Sequence, residues 1–166
     1  MHNPQVRPKW VHDSIVLIWH FKLLGIRTCI NLPTGQKLFS ERVVSKIFKE
    51  IVESLIGIHD RDMIVLDIKM DNLMFTNMDE MKIKIVDFGL AVPLMKRDKH
   101  FDTELHGNKS NLAPESIVAY RRDRMAVYSK ASDMWQAGFL LYTLLYGVYP
   151  FEVEDDILLG KALTWH

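Results

Sequence analysis

The chain has 166 residues, 48% of them hydrophobic and 25% charged, with Lys plus Arg and Asp plus Glu both at 21. That length and balance fit one globular domain with a sizeable core, and the neutral total argues for neither a nucleic-acid partner nor an acidic ligand. Cys29 is the sole cysteine, which excludes an internal disulfide and a cysteine-based zinc site and fits a reducing, cytoplasmic compartment. The most apolar early stretch, 14–32, carries His20, Lys22 and Arg27 and holds no uninterrupted span of membrane length. No small-residue cleavage site follows an apolar core, so neither a membrane segment nor a signal peptide is expected.

Residues 1–10 are polar and proline-spotted and read as a loop. Residues 15–24 and 26–30 are rich in bulky and β-branched side chains and are divided by Gly25, which predicts a hairpin. Asn31-Leu32-Pro33-Thr34-Gly35 then reads as a turn. The clearest helix is predicted over 40–58. Val43, Ile47, Ile51 and Leu55 recur every four residues, with Val44, Phe48, Val52 and Ile56 beside them, a broad apolar stripe. Ser40 is positioned to cap this helix and Glu41 suits its positive end. Gly57 weakens the last turn.

The helix delivers the chain through His59-Asp60-Arg61-Asp62 to Asp67-Ile68-Lys69-Met70-Asp71-Asn72, a polar stretch between the apolar runs 63–66 and 73–75. Residues 73–75 and the alternating 81–86 predict a short hairpin joined by the polar turn 76–80. Asp87-Phe88-Gly89 follows directly, fifteen residues after Asn72. Residues 90–112 have no firm periodicity. Lys96, Arg97, Lys99 and His100 make the segment basic, and it ends in Gly107-Asn108-Lys109-Ser110-Asn111-Leu112-Ala113-Pro114-Glu115. A short helix is predicted over 116–120, then a basic loop at 121–124. Ser132 is expected to cap a helix running to Tyr146 and stopped by Gly147 and Pro150. That last helix is apolar nearly all round, too short to span a membrane, and therefore expected to be buried.

An acid, a lysine and an amide within six residues, followed by an acid closing a strand, suit magnesium and phosphate. Hard oxygen donors match the metal, and a compact cation matches the anion. With Ala113-Pro114-Glu115 downstream, the ordered set resembles the catalytic loop and metal-binding turn of a eukaryotic protein kinase, of the serine/threonine type by the position of Lys69. The resemblance runs over roughly 15–151. It implies an α+β fold: the mainly helical C-terminal lobe of a protein-kinase-like fold, with small β-hairpins and most of the N-terminal lobe absent. Residues 1–36 would be a remnant of the N-terminal strands and hinge, and 37–166 a partial C-terminal lobe.

The same resemblance implies transfer of the ATP γ-phosphate to Ser/Thr hydroxyls of a protein substrate. Asp67 would take the hydroxyl proton, Lys69 would lie against the γ-phosphate, and Asn72 and Asp87 would ligate Mg²⁺. Asn31 and Leu32 would lie in the hinge that holds adenine, with Met74 as its floor. Asp133 would hydrogen-bond the backbone of the catalytic loop, and Thr103 or Ser110 could be phosphorylated in the activation segment.

The departures from the kinase pattern carry their own expectations. No two glycines lie two residues apart, so there is no Gly-x-Gly phosphate loop. Val65 and Leu66 stand where kinases have His-Arg before the aspartate, leaving no cation there for an activation-segment phosphate. Asn108 replaces the usual threonine, and the usual arginine partner of Glu115 has no counterpart. The chain is expected to be a kinase shortened at both ends, with little phosphotransfer alone and with exposed apolar surface prone to self-association. The alternative is a pseudokinase, a binding or scaffold module that kept the fold and lost turnover.

Overall fold

The long helix predicted from the apolar stripe is α1, Glu41–His59. In this computed structural model the described residues are 40–77, 80, 82–94, 101–103, 111–122, 125–151 and 154–159, with 101–103, 154 and 159 described in backbone alone. The expected loop at 1–10, hairpin at 15–30 and turn at 31–35, including Asn31 and Leu32, lie outside them, as do Asn108 and Ser110. Helix α1 buries Val44, Ile47, Ile51, Leu55 and Ile58. The stripe is narrower than expected: Ile56 lies on the outer side and is exposed. Ser40 occupies the N-cap position, but its side chain makes no capping bond; its carbonyl accepts from Val43 and Val44 instead.

Among the described residues six short strands pair into three antiparallel two-stranded sheets. Strand β1, Met63–Ile64, pairs with β4, Val92–Pro93, and β2, Leu73–Asn77, pairs with β3, Lys82–Ile85. Strand β5, Phe101–Thr103, pairs with β6, Ala126–Tyr128. The β2–β3 hairpin is the predicted one with different edges. Leu73 faces Ile85 and Phe75 faces Ile83, and the register shifts between Phe75 and Asn77. The alternation in β3 sends Ile83 and Ile85 inward against α1 and leaves Lys82 outside, where its ammonium donates to Glu50 of α1 at 2.8 Å. That carboxylate raises the Lys82 pKa above its ordinary value.

Helix α2, Pro114–Arg121, starts two residues earlier than predicted because Pro114 sits at its first turn, where the missing N–H costs nothing. Helix α3, Lys130–Tyr146, is the other long helix among the described residues, and α4, Glu154–Leu159, closes the described chain. Ser129, not Ser132, is the N-cap of α3. Its side chain accepts from Ala131 N, and Ser132 Oγ accepts from Ser129 N, which makes a capping box. Gly147 ends the helix at φ 70°, a conformation available to glycine at little cost. Helix α3 is not buried all round, since Met134 is exposed, and its buried positions include the polar Asp133, Gln136 and Thr143.

Two apolar clusters form the core. The first joins α1, β2, β3 and α3 through residues such as Ile47, Ile51, Leu73, Ile83, Leu140 and Leu144, with Phe88 packed against it. The second joins Ile64, Leu66, Leu112, Ile117, Tyr128 and Ile157. The segment from Ile64 to Ile68 runs along the seam, since Val65 and Ile68 belong to the first cluster and Ile64 and Leu66 to the second. That alternation holds Asp67 between the clusters.

Candidate active site

Asp67 lies on a loop built by long-range hydrogen bonds rather than by regular structure. Asp133, at the start of α3 and wholly buried, accepts from Val65 N at 2.9 Å and from Leu66 N at 3.0 Å. Its second oxygen also meets His59 Nε2 at 2.8 Å, which ties the end of α1 to the start of α3. The expected bond between Asp133 and the loop backbone is therefore present. Leu66 takes φ 68°, a left-handed conformation unfavourable for leucine. Its burial in the second cluster and the bond its N–H donates to Asp133 hold it there.

One turn further along α3, Gln136 completes the cradle. Gln136 Nε2 donates to Leu66 O at 3.0 Å, and Ile68 N donates to Gln136 Oε1 at 2.9 Å. From the other side, Asn111 Nδ2 donates to Ile68 O at 3.1 Å. Neither amide was singled out from the sequence. For Gln136 the signal was present: it lies three residues after Asp133, on the same face of a helix otherwise rich in apolar side chains.

The carboxylate of Asp67 is 7% exposed as a residue and has one oxygen occupied. Oδ2 accepts from Lys69 Nζ at 2.6 Å and from Asn72 Nδ2 at 2.9 Å, while Asn72 Nδ2 also reaches Asp67 O at 2.8 Å. Oδ1 is buried and has no hydrogen-bond partner. The turn of 3₁₀ helix at Met70–Asn72 carries Asn72 back toward Asp67. Three of the sequence-derived site residues, Asp67, Lys69 and Asn72, thus meet directly.

Asp87 is brought to the same end of the β2–β3 hairpin. Leu73 pairs with Ile85, and Val86 N donates to Asn72 O at 2.8 Å, so Asn72 and Asp87 both flank the final rung. Asp87 is exposed, at φ 66°, and its Oδ1 accepts from Gly89 N at 3.0 Å. A Cβ at position 89 would sit 3.0 Å from that same oxygen, so glycine leaves the carboxylate room. Met74 is half-buried in β2 opposite Lys84. Val65 belongs to the first cluster, and Phe88 packs against that cluster.

Glu115 accepts from Ser132 Oγ at 2.8 Å, so α2 is tied to the first turn of α3. Among the described residues no group of three or more His, Cys, Asp or Glu is arranged to hold a metal ion. A site of one amide and one carboxylate suits Mg²⁺ only when substrate phosphates supply further oxygens.

The family model described as the protein kinase domain matches residues 11–163. The chain belongs to the protein kinase family. Its α+β fold of helices and small antiparallel sheets is consistent with that membership. Among its relatives is the rice (Oryza sativa subsp. japonica) calcium-dependent protein kinase 21, 36% identical over 75% of this chain and 21% of that protein. The ovarian-specific serine/threonine-protein kinase Lok of Drosophila melanogaster is 32% identical over 93% of this chain and 30% of that protein. The serine/threonine-protein kinase ULK3 of Xenopus laevis is 28% identical over 98% of this chain and 35% of that protein. The kinase chain thus spans about a fifth to a third of the length of these relatives. A protein kinase domain implies use of ATP and typically of Mg²⁺. No helix among the described residues is long and apolar enough to cross a membrane.

Proposed function

We propose that the protein carrying this chain transfers the γ-phosphate of ATP to Ser or Thr hydroxyls of a protein substrate, with Asp67 as the general base. The observation that carries the reading is the asymmetry of the Asp67 carboxylate. Oδ2 is engaged by Lys69 and Asn72, and Oδ1 is buried without a partner. An acceptor left unsatisfied in a buried site is costly unless a ligand supplies its donor, and a substrate hydroxyl is such a donor. Asp67 takes that proton as the hydroxyl oxygen bonds to the γ-phosphorus and the bond to the bridging oxygen of ADP breaks.

Lys69 contacts Asp67 now and supplies a compact positive charge for the phosphoryl group being transferred. Asn72 spends its Nδ2 on Asp67, which leaves the amide oxygen for a cation, and Asp87 offers an exposed carboxylate beside it. These two hard oxygen donors fit Mg²⁺. The ion supplies charge neutralisation of the phosphates. Met74 and the hinge residues Asn31 and Leu32 are the proposed adenine contacts, on the resemblance alone. The pseudokinase alternative draws no support from the comparisons.

The test is an assay of the full-length gene product with γ-labelled ATP and matched peptides bearing serine, threonine or tyrosine. Label on serine or threonine supports the reading. Label on tyrosine alone, or nucleotide binding without transfer, overturns it.

A further inference from the structure

We propose that Gln136 and Asn111 form an amide clamp that positions Asp67, a role for two side chains that takes no part in the resemblance read from the motifs. The inference rests on Asp67 being the base. Its geometry stands on the three backbone groups that bracket that residue. Leu66 O, immediately before Asp67, accepts from Gln136 Nε2, and Ile68 N, immediately after it, donates to Gln136 Oε1. Ile68 O accepts from Asn111 Nδ2. Both amides are nearly fully buried, at 2% exposure for Gln136 and 4% for Asn111.

The clamp answers a specific mechanical need. Leu66 is held at φ 68° with no charged or polar side chain of its own to fix it. On this loop the Asp133 carboxylate anchors the N–H groups at 65 and 66, both upstream of Asp67. Gln136 reaches across Asp67 and fastens the chain on both sides at once, so rotation of either flanking peptide breaks one of its bonds. A single carboxylate cannot do this, because it has no donor for Leu66 O; a single hydroxyl is too short to span both. Glutamine matches the donor and the acceptor together. Asn111 adds the third contact from the segment just before Ala113-Pro114-Glu115, so that segment and α3 grip the same residue, Ile68, through its two successive peptides. A misplacement of about 1 Å at a reacting group can cost about a hundredfold in rate, so residues that touch no substrate still govern turnover here.

The test compares the parent with Gln136→Met, which keeps length and loses both bonds, Gln136→Glu, which keeps the acceptor and loses the donor, and Asn111→Leu. Two readouts are taken. On the 166-residue chain, amide exchange is followed by NMR. The Ile68 amide should exchange at least about tenfold faster in Gln136→Met, with the amides of Ile47 and Ile51 in α1 unchanged and Gln136→Glu nearer the parent at Ile68. On the full-length product, kcat should fall by about ten- to a hundredfold in Gln136→Met, with KM for ATP within about twofold, the split expected when only the reacting group is mispositioned. Ile68 exchange unchanged in Gln136→Met overturns the clamp, as does faster exchange spread over every amide with kcat retained. If the parent transfers no phosphate but Ile68 deprotects as described, the clamp stands and the reading of Asp67 as base falls. If the parent is active and Ile68 is indifferent, the base stands and the clamp falls.

Discussion

Asp133 Oδ1 accepts the backbone N–H of Leu66 at 3.0 Å while Leu66 sits at φ 68°. The two facts belong together. A left-handed leucine costs on the order of 1–3 kcal/mol, and it persists because a buried carboxylate from 67 residues away requires the N–H there. The same aspartate holds Val65 N and His59, so it joins α1, the catalytic loop and α3.

Asp133→Ala leaves two buried backbone N–H groups without acceptors, at a cost of about 1–3 kcal/mol each. Against a domain stability of about 5–15 kcal/mol, that is enough to loosen or unfold the chain. Equilibrium denaturation in urea checks it. A loss below about 1 kcal/mol would mean that water or a neighbour replaces the carboxylate.

Asp87 and Asn72 predict a cation response that needs nucleotide. Titration with Mg²⁺ and ATP together should move the amides around 72 and 87, while Mg²⁺ alone moves them little, because two protein oxygens are too few for the ion. Asp87→Ala should abolish the joint response. Gly89→Ala should weaken it, since the added methyl crowds Asp87 Oδ1 at 3.0 Å. Equal responses in the parent and Asp87→Ala would remove Asp87 from the site.

Leu66 occupies the arginine position and is buried among Leu112, Ile117 and Tyr128. It offers no cation to a phosphate on the segment that precedes α2. Acidic substitutions at Thr103 and Ser110 should leave turnover within about threefold of the parent, where a charge-assisted arginine–phosphate contact would change it by more. A large activation that disappears on altering Leu66 would contradict this. Leu66→Arg should be poorly tolerated, because it buries an unpaired charge in an apolar cluster.

Much of this arrangement was legible before any coordinates. Helix α1 followed from its four-residue spacing, the β2–β3 hairpin from alternation, and the meeting of Asp67, Lys69 and Asn72 from their motif. Other features depend on partners far along the chain. Strands β1 and β4 have two residues each and pair from 63–64 to 92–93, too short to show a period. The helix is capped at Ser129 rather than at Ser132, three residues earlier than expected, because the two serines act as a pair, one at N-cap and one at N3. The left-handed Leu66 runs against leucine's own preference, so nothing local announces it. Gln136 shares a helix face with Asp133, three residues apart, but the backbone groups it binds are 68 and 70 residues away and show only in the folded loop.

The most direct test of the account is the turnover of Asp67→Asn in the full-length product. Asparagine keeps the size of the side chain and removes the basicity of Oδ1, the unpartnered oxygen on which the proposal rests. Phosphotransfer to a serine peptide should fall by about 10²–10⁴-fold, with ATP affinity nearly unchanged. Transfer within a few-fold of the parent would mean that another group takes the proton, and that the buried free oxygen of Asp67 has a different purpose.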